Sequence, residues 1–187
     1  MANEVSILID SPVLYYGDFD LNSGLDAILT TIKDKELGIA KGSLKFEAKP
    51  EIRDIEHARS LERKIKGMQR ILKWDVSAEA EILDFNEKVL TSSLIKKETN
   101  ASTKFDVYAP SNDIVDSDYK DLLIVGKKAN SNDPIVVHIF NSYNPDGISF
   151  EMKDKDESAV SMKFIGAYSF KDDTIKPFKI YMPKKVV

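Results

Sequence analysis

The chain has 187 residues, 42% hydrophobic and 31% charged, with no cysteine and a net charge of −4. That length and composition suit a folded globular protein able to bury a core, and the lack of cysteine excludes disulfides, thiolate metal sites and thiol nucleophiles. The mild acidic excess argues against gripping a phosphate backbone by charge, though not against standing beside DNA without holding it.

Taken in chain order, Val5–Ile9 reads as a short strand. Ile7-Leu8-Ile9 is broken by Asp10 and has no basic residues ahead of it, so a secretory leader is not expected and assembly in a cytoplasm is. No apolar run approaches the ~20 residues of a membrane helix, so no membrane insertion by this chain is expected. Pro12 should make a turn ahead of Val13-Leu14-Tyr15-Tyr16. Ser23 then reads as an N-cap for an amphipathic helix over 24–36, with Leu25, Ile28, Leu29 and Ile32 on one face and Gly38 as its stop.

From Gly42 the period switches to two, with Leu44, Phe46 and Ala48 alternating against Ser43, Lys45 and Glu47, and the extended run continues past Pro50 to Glu56. A proline there implies an edge or a bulge. Residues 57–70 are charge-dense and read as a protruding loop between two long strands. From Leu72 to Ile82 the alternation is unbroken: Leu72, Trp74, Val76, Ala78, Ala80 and Ile82 on one parity, Lys73, Asp75, Ser77, Glu79 and Glu81 on the other. Successive strand side chains point to opposite faces, so this is one long strand with a dry face and a wet face.

Asp84 with Glu87 has capping-box spacing for a second helix, whose apolar face would be Phe85, Val89, Leu90, Leu94 and Ile95. Residues 97–120, rich in Ser, Thr, Asn and Asp, read as a loop-rich insertion with a strand-like patch at Phe105–Tyr108. Beyond it, Leu122–Val125, Ile135–Phe140, Ile148/Phe150/Met152, Val160/Met162/Phe164 and Phe178–Met182 read as strands, with turns at Gly126-Lys-Lys, Asn141-Ser142 and Lys153–Ser158. The fold class that follows is mainly β, an antiparallel β-sandwich or barrel with one or two short flanking α-helices, as a single domain over 1–187.

The inventory for chemistry is thin. His138 lies in an apolar run and reads as a core or interface histidine, and His57 has no nucleophile and acid that the sequence pairs with it. Asp18, Asp20, Asn22 and Gly24 suggest a calcium loop, but the glycine falls one place late and the twelfth position is Leu29. Paired acids need burial for acid–base work, and Asp116/Asp118 and Asp154/Asp156 sit in evident turns and read as solvated surface. No catalytic residue, cofactor or metal is expected, and no enzyme activity. Arg59, Glu62, Arg63, Lys64, Lys66 and Arg70 mix charge without aromatics to stack bases, which fits protein–protein contact better than nucleic acid.

The run Lys41-Gly-Ser-Leu-Lys-Phe-Glu-Ala-Lys-Pro-Glu-Ile-Arg-Asp-Ile-Glu, followed by Ile65-Lys-Gly-Met-Gln-Arg-Ile and Ile82-Leu-Asp-Phe-Asn-Glu-Lys-Val-Leu, resembles the tail tube proteins of long-tailed bacteriophages. Met162-Lys-Phe-Ile-Gly-Ala-Tyr-Ser-Phe with Pro177-Phe-Lys-Ile resembles that family's closing strands. The resemblance implies a structural virion protein whose sheets join between subunits into hexameric rings, stacked into a hollow conduit for DNA. It implies assembly in the host bacterial cytoplasm and location in the virion tail. Its implied partners are other copies of itself, tape-measure, tail terminator and baseplate or distal tail proteins, and a sheath where the tail has one; genome DNA passes through without specific binding. On that reading Lys73, Asp75, Ser77, Glu79 and Glu81 are lumen candidates, and Arg59, Glu62, Arg63, Lys64 and Lys66 are inter-ring stacking candidates. The alternative is a monomeric β-sandwich adaptor, a tail completion or baseplate-binding module.

Overall fold

The computed structural model describes residues 10–19, 25–55, 64–99, 102–127, 133–152, 154–155, 157–171 and 174–184. The expected strand Val5–Ile9, the Ser23 cap and His57 lie outside these residues. The described chain is mainly antiparallel β. Its strands are β1 (Asp10–Gly17), β2 (Glu36–Gly38), β3 (Lys45–Asp54), β4 (Gln69–Ile82), β5 (Ile95–Lys97), β6 (Tyr108–Pro110), β7 (Lys120–Lys127), β8 (Pro134–Tyr143), β9 (Ser149–Phe150), β10 (Val160–Gly166) and β11 (Phe178–Tyr181). Two short helices accompany them, α1 (Leu25–Thr31), which tightens into a 3₁₀ turn over Ile32–Lys35, and α2 (Glu87–Ser92).

Hydrogen bonding runs β2-β1-β7-β8-β10-β4-β3, with β11 also on β8 and β9 on β10. β8 is the corner. Val136–Ile139 pair with both β7 and β11, and the end of the same strand, Ser142 and Tyr143, pairs with β10. The sheet doubles over there, so that Leu14, Leu122, Ile124, Val137 and Ile139 pack against Val76, Ala78, Ala80, Ile82, Val160, Met162 and Phe164 in one core. Tyr16 reaches across to Phe164, with ring centres 5.1 Å apart, and Phe178 meets Phe46 and Trp74 at 5.7 and 5.6 Å. The result is a mainly β, antiparallel sheet folded over one core, within the sandwich-or-barrel class expected from the spacing of its strands.

The other parity of β7 and β8 is also buried. Leu123 and Val136 pack under Ile28 and Ile32 of the α1 segment. Strands covered on both faces lose the alternating pattern and become continuous apolar runs, which is why Leu122–Val125 and Ile135–Phe140 carried no period of two. The helix expected over 24–36 is shorter, ending in the 3₁₀ turn, with β2 starting at Glu36. Its β-branched Thr30, Thr31 and Ile32 are poor helix extenders.

Other expectations are corrected. Pro12 makes no turn: it lies inside β1, where the pairing to β7 slips between Asp10 and Val13, and a bulge is where a strand tolerates a residue that cannot donate. Nor do Asn141 and Ser142 form a turn. Asn141 takes φ 46° within β8, opposite a register slip between Lys120 and Leu122, and its N–H donates to an Asp121 carboxylate oxygen at 3.1 Å. The other Asp121 oxygen lies 3.0 Å from Nε2 of the fully buried His138. That contact has ion-pair distance but not hydrogen-bond geometry, and neither ring nitrogen of His138 has a hydrogen-bond partner. The histidine instead packs against Phe140, ring centres 4.0 Å apart, as a core residue.

The cap of α2 is Asn86 rather than Asp84. Asn86 Oδ1 accepts from Val89 N–H at 3.1 Å, while its amide donates to the Leu37 carbonyl. Asp84 is occupied elsewhere, accepting from Ile39 N–H at 3.1 Å. The helix stops at Ser92, because the Ser92 and Ser93 hydroxyls both bond the Val89 carbonyl and Leu94 turns to φ 60°. Leu94 and Ile95 therefore leave the expected helical face, and Ile95 opens β5. The insertion at 97–120 contains more order than a loop: β5 pairs with β6, and Asp116–Asp118 form a 3₁₀ turn. Of the strand-like patch only Tyr108 is in a strand, and Phe105 is exposed.

Candidate assembly surface

The long strand is real and longer than its pattern, running from Gln69, so that Gln69 and Arg70 belong to it and not to the loop. Burial alternates along it from Trp74 to Ile82, with Val76, Ala78, Ala80 and Ile82 in the core. One face buried against a core and one in contact with water is the arrangement that preserves a period of two. The alternation breaks at Leu72, however. β3 and β4 pair Glu51 with Lys73 and then Ile52 with Ile71, leaving Leu72 as the extra residue of a bulge. Ile71, not Leu72, thus shares the core-side face with Ile52, Trp74 and Pro50.

Beyond Trp74 nothing among the described residues covers that face: Ile52, Ile71 and Leu72 are each more than half exposed. Pairing nevertheless continues outward, with Ile55 N–H donating to the Met68 carbonyl at 2.8 Å. The hairpin therefore projects past its own core with isoleucines on one side. Lys64 and Lys66 are exposed at its returning limb, where Lys66 and Gly67 form a turn with Gly67 at φ 87°. Arg59, Glu62 and Arg63, the other stacking candidates, lie outside the described residues.

The five lumen candidates do share one face. Register places Lys73 beside Glu51, Asp75 beside Lys49, Ser77 beside Glu47, Glu79 between Lys45 and Lys163, and Glu81 beside Ser161. Lys73 Nζ reaches Asp75 at 2.9 Å and Glu51 at 3.4 Å, and these partners hold its ammonium above the ordinary lysine range. Glu79 receives Lys163 at 3.3 Å and Lys45 at 3.9 Å. Glu47 is held below the usual carboxylate range by hydrogen bonding from Lys49 and then Lys45. On this face the strand itself carries Arg70 and Lys73 against Asp75, Glu79 and Glu81. Its neighbours on the same face add Lys45, Lys49, Arg53 and Lys163 against Glu47 and Glu51, so the assembled face, with six cations against five acids, is near neutral rather than net negative.

That pairing makes a prediction. Glu79→Lys exchanges two attractive cross-strand pairs for two repulsive ones and should lower stability by about 0.5–1 kcal/mol. Glu81→Lys, opposite Ser161, should change it by no more than a few tenths of that. Denaturant titration at low and high salt checks this, since screening should shrink the Glu79→Lys deficit; equal effects of the two substitutions would refute the register.

Elsewhere, a cleft of about 350 Å³ is lined by Lys35, Lys88, Lys96, Lys120, Asp18 and Asp118 among others. Its cations are engaged: Lys96 with Asp118, Lys120 with Asp18, Lys88 with the Glu36 carbonyl and Lys35 with the Asp18 carbonyl. Tyr16, in its wall, is pushed well above the ordinary tyrosine range by burial first and by Asp118 second; it donates to the carbonyls of Asp118 and Ser142 and works as a structural strut. Among the described residues no group of three or more His, Asp or Glu side chains could hold a metal, and no helix is long and apolar enough to cross a membrane. No protein-family model matches this chain, and no curated protein matches its sequence.

Proposed function

We propose that this chain is a subunit of a phage tail tube, assembling through its sheets into rings, hexameric by the resemblance, that stack into a hollow conduit for DNA. The observation that carries the reading is the β3–β4 hairpin, a two-faced wall that outruns its own core. Its exposed Ile52 and Ile71 want a neighbour, while its opposite face is polar and near neutral in total charge. A charge-balanced wall suits a passage for DNA, because excess lysine would bind phosphate and excess acid would repel it. β3 is also an end strand of the sheet path, and joining edges between subunits removes the hazard of an open edge.

On this reading Lys73, Asp75, Ser77, Glu79 and Glu81 line the lumen, the 57–70 segment contacts the next ring, and the chain resides in the virion tail after assembly in the host cytoplasm. Tape-measure, terminator and baseplate proteins, and a sheath in a contractile tail, are the partners it would meet. Sizing chromatography and negative-stain microscopy of the purified chain test it. Hollow rings or tubes are expected. A strictly monomeric protein at high concentration would overturn the reading in favour of a monomeric adaptor or baseplate-binding module.

A further inference from the structure

The two ends of the sandwich carry different apolar features. At one end, Leu83, Phe85, Phe150, Met152, Ser158, Ala159 and Val160 line an apolar cleft of about 250 Å³. Phe85 and Phe150 meet edge-to-face there, 5.3 Å apart, yet Phe85 and Met152 stay more than half exposed. Ile39, also exposed, lies alongside, since its carbonyl accepts from Leu83 N–H. At the other end stands Phe170, whose ring is fully exposed at 105% of the reference area. Among the described residues nothing covers the Phe170 ring, which leaves it free to pack against another surface.

β10 fixes the relation between these features. It runs antiparallel to β4 from Val160, opposite Ile82 at the cleft, to Ile165, opposite Ser77. Phe170 follows four residues after the end of β10, in a segment tied to the far part of β4 by the Trp74 N–H bond to the Tyr168 hydroxyl, 2.7 Å. At ~3.4 Å per strand residue the cleft and Phe170 stand about 20 Å apart or more along the strand direction. They cannot meet within one chain.

We propose that Phe170 of one copy seats in the cleft formed by Leu83, Phe85, Phe150 and Met152 of a second copy, joining subunits head to tail. Size and charge both fit. An apolar cavity of about 150 Å³ is enough to hold a benzene ring, and this cleft is larger. The described residues of 83–87 and 149–159 around the cleft carry five acids and one lysine, whereas those of 166–184 on the side of Phe170 carry four lysines and no acid. Opposite net charge at the two ends brings unlike ends together and keeps like ends apart. Because the two surfaces differ, the contact is heterologous: it leaves a free cleft and a free Phe170 at every step, and it propagates until a ring closes or a filament grows. The partner being a second copy, this inference rests on the self-assembly reading above, and it names the surfaces that reading leaves open.

The lack of native cysteine gives a clean test. Chains carrying Lys171→Cys and chains carrying Ser158→Cys, which replaces the one polar residue of the lining and keeps all its apolar side chains, are mixed and treated with a short thiol-to-thiol cross-linker. A covalent 171–158 dimer is expected, exceeding the product from Lys171→Cys mixed with Lys104→Cys, an exposed site in the insertion. Adding Phe170→Ala, which removes a solvent-exposed ring and leaves the fold intact, should cut the yield about tenfold at fixed subunit concentration. Absence of the 171–158 product, or a yield that Phe170→Ala leaves unchanged, overturns the contact. Micrographs of the same samples separate the two readings. Hollow rings without the cross-link retain the tube and discard this contact; cross-linked assemblies without a lumen retain the contact and discard the tube.

Discussion

Phe164→Ala should lower folding stability by about 3–5 kcal/mol, toward the upper end of the range for aromatic truncation in a core. Phe164 has no exposed surface and lies where the two halves of the doubled sheet meet, between its β4 partner Ala78 and the ring of Tyr16. The cost of such a cavity depends on whether the surroundings can collapse into it. Here Tyr16 is pinned through its hydroxyl to the Asp118 and Ser142 carbonyls, at 2.9 and 3.2 Å, so the ring that could best fill the space is held away from it. At 2–4 °C per kcal/mol for a chain of this size, the melting midpoint should fall by roughly 6–20 °C. A midpoint within about 3 °C of the parent would mean that the sheets do not close over this residue.

Gly38→Ala should be nearly as damaging, at about 3 kcal/mol, although it adds a single methyl group. Gly38 is buried at φ 141°, a conformation that strains any residue with a Cβ. The added carbon would lie 2.5 Å from Asp84 Oδ2 and 2.7 Å from Asp84 Cβ. Rotating the carboxylate away relieves only the first clash, since the Cβ is fixed to the backbone; it also breaks the bond from Ile39 N–H, worth about 1–3 kcal/mol with a charged acceptor. Asp84→Ala alone should therefore cost less than Gly38→Ala, and the double substitution should recover only part of the loss. Chemical denaturation of the three variants measures this. Full recovery in the double variant would place the strain in the side chain rather than the backbone.

The patterns in the sequence that held are those with one burial environment. From Trp74 to Ile82 the strand is dry on one side and wet on the other, and its residues say so. The same logic assigns Lys73, Asp75, Ser77, Glu79 and Glu81 to a single face from their spacing alone, because side-chain parity in a strand is a local property. His138 could likewise be read as a core residue from its apolar flanks. The signals that misled were local ones met by a distant competitor. Asp84 has the right spacing to cap α2, but Ile39, distant in sequence, claims its carboxylate, and Asn86 takes the cap. Asn141-Ser142 has turn composition, but Asp121 holds it as a bulge within β8.

What the sequence determined by itself, then, is the mainly β character, the long two-faced strand and the emptiness of the motif inventory. Tertiary structure alone decided four things: that β8 is the corner where the sheet folds over, that β7 and β8 are covered on both faces, that a bulge at Leu72 turns Ile71 toward Ile52, and that the acids of the charged face are offset by cations from β3 and β10. The division has one physical reason. Periodicity records how a strand is solvated along its own length, whereas sheet order, register and net facial charge depend on which strands arrive beside it, and those come from residues far away in the chain.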